Sequence, residues 1–134
     1  MTERATYIDS SAIVKLVVRE DESDALRAHI AHGRVLVSSA IAVTEVLRAT
    51  AHHGEEAVGI AREVLARLEL LAVDDDILEA AGSLEPVGLR SLDAIHLASA
   101  RALRSSIDEF LCYDGRLAAA AADGHFLVVR PGRP

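Results

Sequence analysis

The stretch Ala5-Thr6-Tyr7-Ile8-Asp9-Ser10-Ser11-Ala12 passes from a short apolar run to a helix start across one acidic residue. The same grammar returns at Phe110-Leu111-Cys112-Tyr113-Asp114-Gly115, where an aspartate ends a second apolar run before the helix Gly115–Ala122. With Thr6–Ile8 and Phe110–Tyr113, the runs Val35–Ser38, Leu70–Val73 and Phe126–Val129 read as strands. Apolar throughout, they suit a sheet covered on both faces. Helical segments lie between them: Ser11–Val18, Ser23–His32, Ala40–His53, Glu55–Leu68, Ile77–Ser83 and Ser91–Leu103. Ile41, Val43, Val46, Leu47 and Ala51 follow a helical spacing, as do Leu92, Ile95, Ala98, Ala102 and Leu103. His53-Gly54 divides two helices into a hairpin. Pro86-Val87-Gly88 marks a loop ahead of a helix cap at Ser91. Strands alternating with helices predict a three-layer α/β fold with a parallel sheet and right-handed crossovers.

The 134 residues predict one domain, residues 1–134, able to bury a sizeable core. A hydrophobic share of 51% excludes a disordered chain. The longest purely apolar run, Leu117 to Ala122, is too short to span a bilayer. Met1-Thr2-Glu3-Arg4-Ala5 lacks the basic and apolar regions of a signal peptide. Cys112 is the only cysteine, which excludes a disulfide framework or a zinc cluster. The expectation is a soluble cytoplasmic protein with no membrane partner.

A net charge of -7 argues at first against nucleic acid, which usually meets a basic footprint. Much of it sits in two runs, Glu20-Asp21-Glu22 with Asp24, and Asp74-Asp75-Asp76. Of the 14 basic residues only Lys15 is lysine, and arginine suits bidentate phosphate contact. Charge alone leaves the partner open.

Asp9, Glu45, Asp93 and Asp114 remain. Each has a simple reading alone: an N-cap for Asp9, an i, i+3 pair with Arg48 for Glu45. Asp93 suits the first turn of its helix, and Asp114-Gly115 is an ordinary turn dipeptide. Jointly they read otherwise. Asp9 and Asp114 end two strands, and neighbouring parallel strands present their carboxyl ends at one edge, where open α/β sheets place their sites. Glu45 lies inside Ala40-Ile41-Ala42-Val43-Thr44, and Asp93 stands between Leu92 and Ala94-Ile95. Acids among apolar residues are costly unless paired or coordinated. A hard cation, Mg²⁺ or Mn²⁺, takes oxygen ligands and keeps waters, so the four read as a metal-dependent catalytic site.

Four segments carry a resemblance. Tyr7-Ile8-Asp9-Ser10-Ser11-Ala12, Val43-Thr44-Glu45-Val46-Leu47-Arg48-Ala49, Leu92-Asp93-Ala94-Ile95-His96-Leu97-Ala98-Ser99-Ala100 and Tyr113-Asp114-Gly115-Arg116-Leu117 resemble the motifs of PIN-domain ribonucleases. More narrowly they are similar to the VapC-like toxins of toxin–antitoxin pairs. The match runs in order from Tyr7 to Val129. It implies a five-stranded sheet of order 3-2-1-4-5 and a Mg²⁺-dependent endoribonuclease with Asp9, Glu45, Asp93 and Asp114 as its acidic quartet. Ser10 matches a small polar residue near the metal water. Gly115 departs from a larger polar or basic residue, and Cys112 stands where a threonine is common. A cognate antitoxin is implied, with an Arg or Lys reaching the acidic groove. The apolar surface of the Ala40–Leu68 hairpin could serve that partner or a homodimer.

The expected chemistry is hydrolysis of RNA by a metal-activated water, with one or two metals. Asp9 and Asp114 would be direct ligands and Asp93 a direct or water-mediated one, while Glu45 would orient the water. Arg48 and Arg116 are candidate phosphate contacts, with ion pairing to the acids as their alternative. His96, three residues after Asp93, is either a packed histidine or a partner of the acids. Two other classes fit the sequence poorly. A receiver module wants a late lysine, and an aspartate-nucleophile phosphohydrolase wants an aspartate where Ser11 stands. A non-catalytic PIN-like RNA- or protein-binding module and a structure-specific DNA nuclease remain the alternatives.

Overall fold

The computed structural model describes residues 4–133. Residues 1–3 and 134 lie outside them, and with them part of the reading of the chain's start. Strands β1 (Ala5–Ile8), β2 (Val35–Ser39), β3 (Glu69–Leu71), β4 (Ile107–Leu111) and β5 (Val128–Val129) form one sheet of order β3-β2-β1-β4-β5. Every pairing is parallel. The flanking helices are α1 (Ser10–Val17), α2 (Ser23–Ile30), α3 (Ile41–Ala51), α4 (Glu55–Ala66), α5 (Asp75–Gly82), α6 (Ser91–Ala102) and α7 (Gly115–Asp123). This is the three-layer arrangement and strand order that the sequence led us to expect.

The sheet separates two apolar cores, as alternation along a strand requires. Tyr7 and Phe110 face Leu97 of α6 and Leu117 of α7. Ile8 and Leu111 face Ile13, Leu26, Val46 and Leu65 of α1 to α4. Tyr7 stacks on Phe110 with ring centroids 5.1 Å apart. From β1 the chain winds one way through β2 and β3, while β4 and β5 lie on β1's other side. The switch point therefore falls between β1 and β4, and its crevice opens at their carboxyl ends.

Four local readings are corrected. Strand β4 ends at Leu111 rather than Tyr113; β5 is only two residues long, and the Tyr113 amide turns to donate to Ser11 Oγ at 3.1 Å. Helix α5 starts earlier than Ile77 because Asp74 caps it, its Oδ1 accepting from the Ile77 amide at 2.9 Å. The N-cap position of α6 is Arg90, extended and without a side-chain cap, so Ser91 is already helical. The hairpin break holds: Gly54 precedes α4 at φ +97°, a conformation that glycine adopts without strain.

One ion pair ties the chain's last described residues to α2. Glu22 accepts from Lys15 Nζ at 2.8 Å and from Arg133 Nε at 3.0 Å. These contacts, Lys15 foremost, hold its carboxyl at about 2, below the ordinary 4.5. A depressed carboxyl adds stability above its unfolded value, and that stability is lost as pH falls through the folded value. Urea unfolding followed by circular dichroism should show Glu22→Gln losing less stability than wild type between about pH 4.5 and 2. Parallel acid limbs would contradict the pairing.

Candidate active site

Asp9 follows β1 directly and is the N-cap of α1, its Oδ1 accepting from the Ala12 amide at 3.1 Å. The cap and the candidate site residue are therefore the same aspartate. Only 3% exposed, Asp9 also accepts from Ser11 Oγ at 2.7 Å and from Cys112 Sγ at 3.3 Å. The thiol thus takes the donor role that a hydroxyl would fill. Asp9 has hydrogen bonds but no basic side chain bound to it among the described residues. Burial pushes its carboxyl up, against the pull of Ser11, His96, Ala12 and Cys112.

Asp114 caps α7 in the same way, its Oδ1 accepting from the Arg116 and Leu117 amides at 3.0 Å each. Asp93 sits in the first turn of α6. Its carboxyl is raised by burial first, then by the charge of Asp114, with Asp9 and Glu45 adding to it and His96 opposing. The three other acids are therefore near enough for Asp93 to feel each of them. The structure brings all four to one edge of the sheet.

Glu45 does not pair with Arg48. It is held instead by His96, whose Nε2 lies 2.7 Å from Oε1, and by Ser10 Oγ, which donates to the same oxygen at 2.7 Å. Burial raises the Glu45 carboxyl, but the His96 hydrogen bond and charge, with Ser10, bring it below its ordinary range. Its Oε2 has no hydrogen-bond partner among the described residues. His96 is 1% exposed and its Nδ1 lies 2.8 Å from the Tyr7 hydroxyl. Burial pushes the Tyr7 phenol up, keeping it neutral, so its hydroxyl shares a hydrogen bond with Nδ1 while Nε2 shares one with Glu45.

Sequence reasoning underread His96. Its offset from Asp93 placed it on the right helix face, but Glu45 is 51 residues away and Tyr7 is 89. Ser10 is drawn into the same cluster, 3.2 Å from His96 Nε2. Arg48 and Arg116 are exposed, and neither forms an ion pair among the described residues. Arg90, beside the start of α6, is exposed in the same way, and no sequence motif marks it.

Could these acids hold a cation? No three His, Cys, Asp or Glu side chains among the described residues converge into a ready set of direct ligands. The oxygen-only donor set and the mutual repulsion felt at Asp93 nonetheless fit a hard cation that keeps part of its water shell. The fit is to a hydrated ion, with Asp9, Asp93 and Asp114 as the holding groups.

A parallel 3-2-1-4-5 sheet with four acids at its switch point defines a class, and the comparisons agree. A family model described as the PIN domain matches residues 6–123. Ribonuclease VapC46 of Mycobacterium tuberculosis is 49% identical over 127 residues, covering 95% of this chain and 98% of that protein. The chain belongs to the PIN-domain family, among its VapC-like members. The crystal structure of Mycobacterium tuberculosis VapC20, a toxin that cleaves the sarcin-ricin loop, superposes with a TM-score of 0.76 at 20% identity. It covers 95% of this chain and 100% of its own. A toxin–antitoxin complex from Klebsiella pneumoniae gives 0.69 at 21% identity, covering 95% and 98%. These two likenesses concern the fold. Among the described residues no helix is long and apolar enough to cross a membrane.

Proposed function

We propose that the chain is a single-domain, Mg²⁺-dependent endoribonuclease, with Mn²⁺ able to substitute, and the toxin of a toxin–antitoxin pair. The observation that carries this reading is the gathering of Asp9, Glu45, Asp93 and Asp114, where Asp93 is raised by burial and then by the charges of the other three. The name of VapC46 and its 49% identity support RNA as substrate. The Klebsiella pneumoniae complex supports an antitoxin as partner. Action on cellular RNA places the protein in the cytoplasm, and the α3–α4 hairpin would serve the antitoxin or a homodimer.

Asp9, Asp93 and Asp114 would hold the cation, which supplies Lewis-acid activation of water and neutralises phosphoryl charge. Glu45 is built as an acceptor. Ser10 and His96 occupy Oε1, leaving Oε2 to orient a water and take its proton. His96 serves as a positioning residue, fixing Glu45 without touching substrate. Arg48 and Arg116, without an ion pair among the described residues, would meet backbone phosphates and offset the chain's negative charge. Their effect belongs to binding. Arg116→Ala should raise KM about tenfold with a smaller change in kcat, the loss of roughly one charge-assisted hydrogen bond. Steady-state cleavage of a short RNA at fixed salt checks this; an unchanged KM would remove Arg116 from the substrate path.

The proposal is tested by mapping RNA 5′ ends after expression of wild type and Asp9→Asn. New ends should appear only with wild type. Their absence from wild type would remove the nuclease reading.

A further inference from the structure

Tyr113, between Cys112 and Asp114, has every polar group engaged by residues distant in sequence. Its amide donates to Ser11 Oγ at 3.1 Å, and that hydroxyl donates to Asp9. Its carbonyl accepts from Arg130 at 2.9 Å and from Arg133 at 3.2 Å. Its hydroxyl donates to the Pro131 carbonyl at 2.7 Å. Lys15 Nζ lies 4.8 Å and Arg133 Cζ 5.6 Å from the ring centroid. The segment from Arg130 to Arg133 crosses Tyr113 and is anchored beyond it, with Arg133 bound to Glu22. Gly132, at φ +92°, lets the backbone pass close to Glu22 and Ala25, where a Cβ would come within 3.2 Å of both side chains.

That strap has no part in the mechanism above, yet it ends on the Tyr113–Asp114 peptide, next to the Tyr113 amide that holds Ser11 against Asp9. Beyond Leu111 the β4 chain keeps a single sheet contact, Cys112 N–H to the Val129 carbonyl at 3.4 Å. Without the arginines, the Tyr113 carbonyl would lose both of its side-chain donors. The peptide plane that sets the approach to Asp114, and the Ser11 contact that orients Asp9, would then be free to tilt.

The geometry points to Arg130 and Arg133 as positioning residues: acting through Tyr113, they hold Asp9 and Asp114 in register for a divalent cation. This rests on the reading of those acids as cation-holding groups. Positioning and plain electrostatics give opposite signs. Two positive charges near an acidic site weaken cation binding, so their removal should tighten it. Removal of an orienting outer contact should loosen it.

The test uses the full chain stripped of metal, with Mn²⁺ binding followed by electron paramagnetic resonance of the free ion. Arg130→Ala/Arg133→Ala should raise the Mn²⁺ dissociation constant about 10- to 100-fold, the range seen when outer contacts are lost. Arg130→Lys/Arg133→Lys should recover part of the loss. Tyr113→Phe, which loses only the Pro131 bond, guards against a misfolded double variant and should weaken Mn²⁺ about threefold. Unchanged or tighter binding in the double alanine variant, folded by circular dichroism, overturns the strap. If that variant is unfolded, unchanged binding in Tyr113→Phe overturns it. A wild type that binds no Mn²⁺ overturns the cation reading, and the strap with it.

Discussion

Asp9→Asn is expected to reduce RNA cleavage on the order of a thousandfold while raising the stability of the metal-free protein. The two effects share a cause. Asp9 is 3% exposed, and burial raises its carboxyl. An acid whose folded pKa is raised contributes a cost that grows as pH climbs from the unfolded to the folded value and then stays constant. Asparagine removes that cost at neutral pH and keeps the cap, since its carbonyl can accept from Ala12 and Ser11. Added Mg²⁺ should then raise the wild-type Tm and leave the variant's unmoved. Cleavage by Asp9→Asn at wild-type rates, or a lower metal-free Tm with the same fold, would contradict the assignment.

His96→Ala is expected to have the largest effect on stability, about 2–4 kcal/mol by urea unfolding. The substitution opens a cavity, strands the buried Tyr7 hydroxyl and leaves Glu45 Oε1 with Ser10 alone as a donor. Cleavage should fall about 10- to 100-fold with KM little changed, because Glu45 keeps its charge but loses its orientation. Tyr7→Phe separates the two roles. It removes only the outer hydrogen bond and should cost about 1 kcal/mol with a smaller loss of rate. A His96→Ala variant as active as wild type would leave the His96–Glu45 contact with a packing role alone.

What was legible in the chain follows from how local each signal was. The apolar runs ending on Asp9 and Asp114 carried the sheet and its functional edge, because a strand end and a helix start are written in adjacent residues. Strand order was not local and came from the resemblance of four segments. Asp9 and Asp114 read as either caps or site residues; the structure makes both of them caps, just beyond the carboxyl ends of β1 and β4. The Glu45–Arg48 pairing failed because short helical spacing competes with tertiary partners, and Ser10 with His96 prevailed. The strap was invisible in sequence. Arg130 and Arg133 find the Tyr113 carbonyl 17 and 20 residues away, a contact that no periodicity encodes.

The central claim, that these four acids make a cation-dependent centre for cutting RNA with water, is tested most directly by the chemistry of the cut ends. A defined RNA treated with the purified protein in Mg²⁺ should yield 5′-phosphate and 3′-hydroxyl ends, with no cleavage in excess EDTA or by Asp9→Asn. Ends bearing 2′,3′-cyclic phosphate, formed when the RNA's own 2′-hydroxyl attacks, or undiminished cleavage in EDTA, would contradict it.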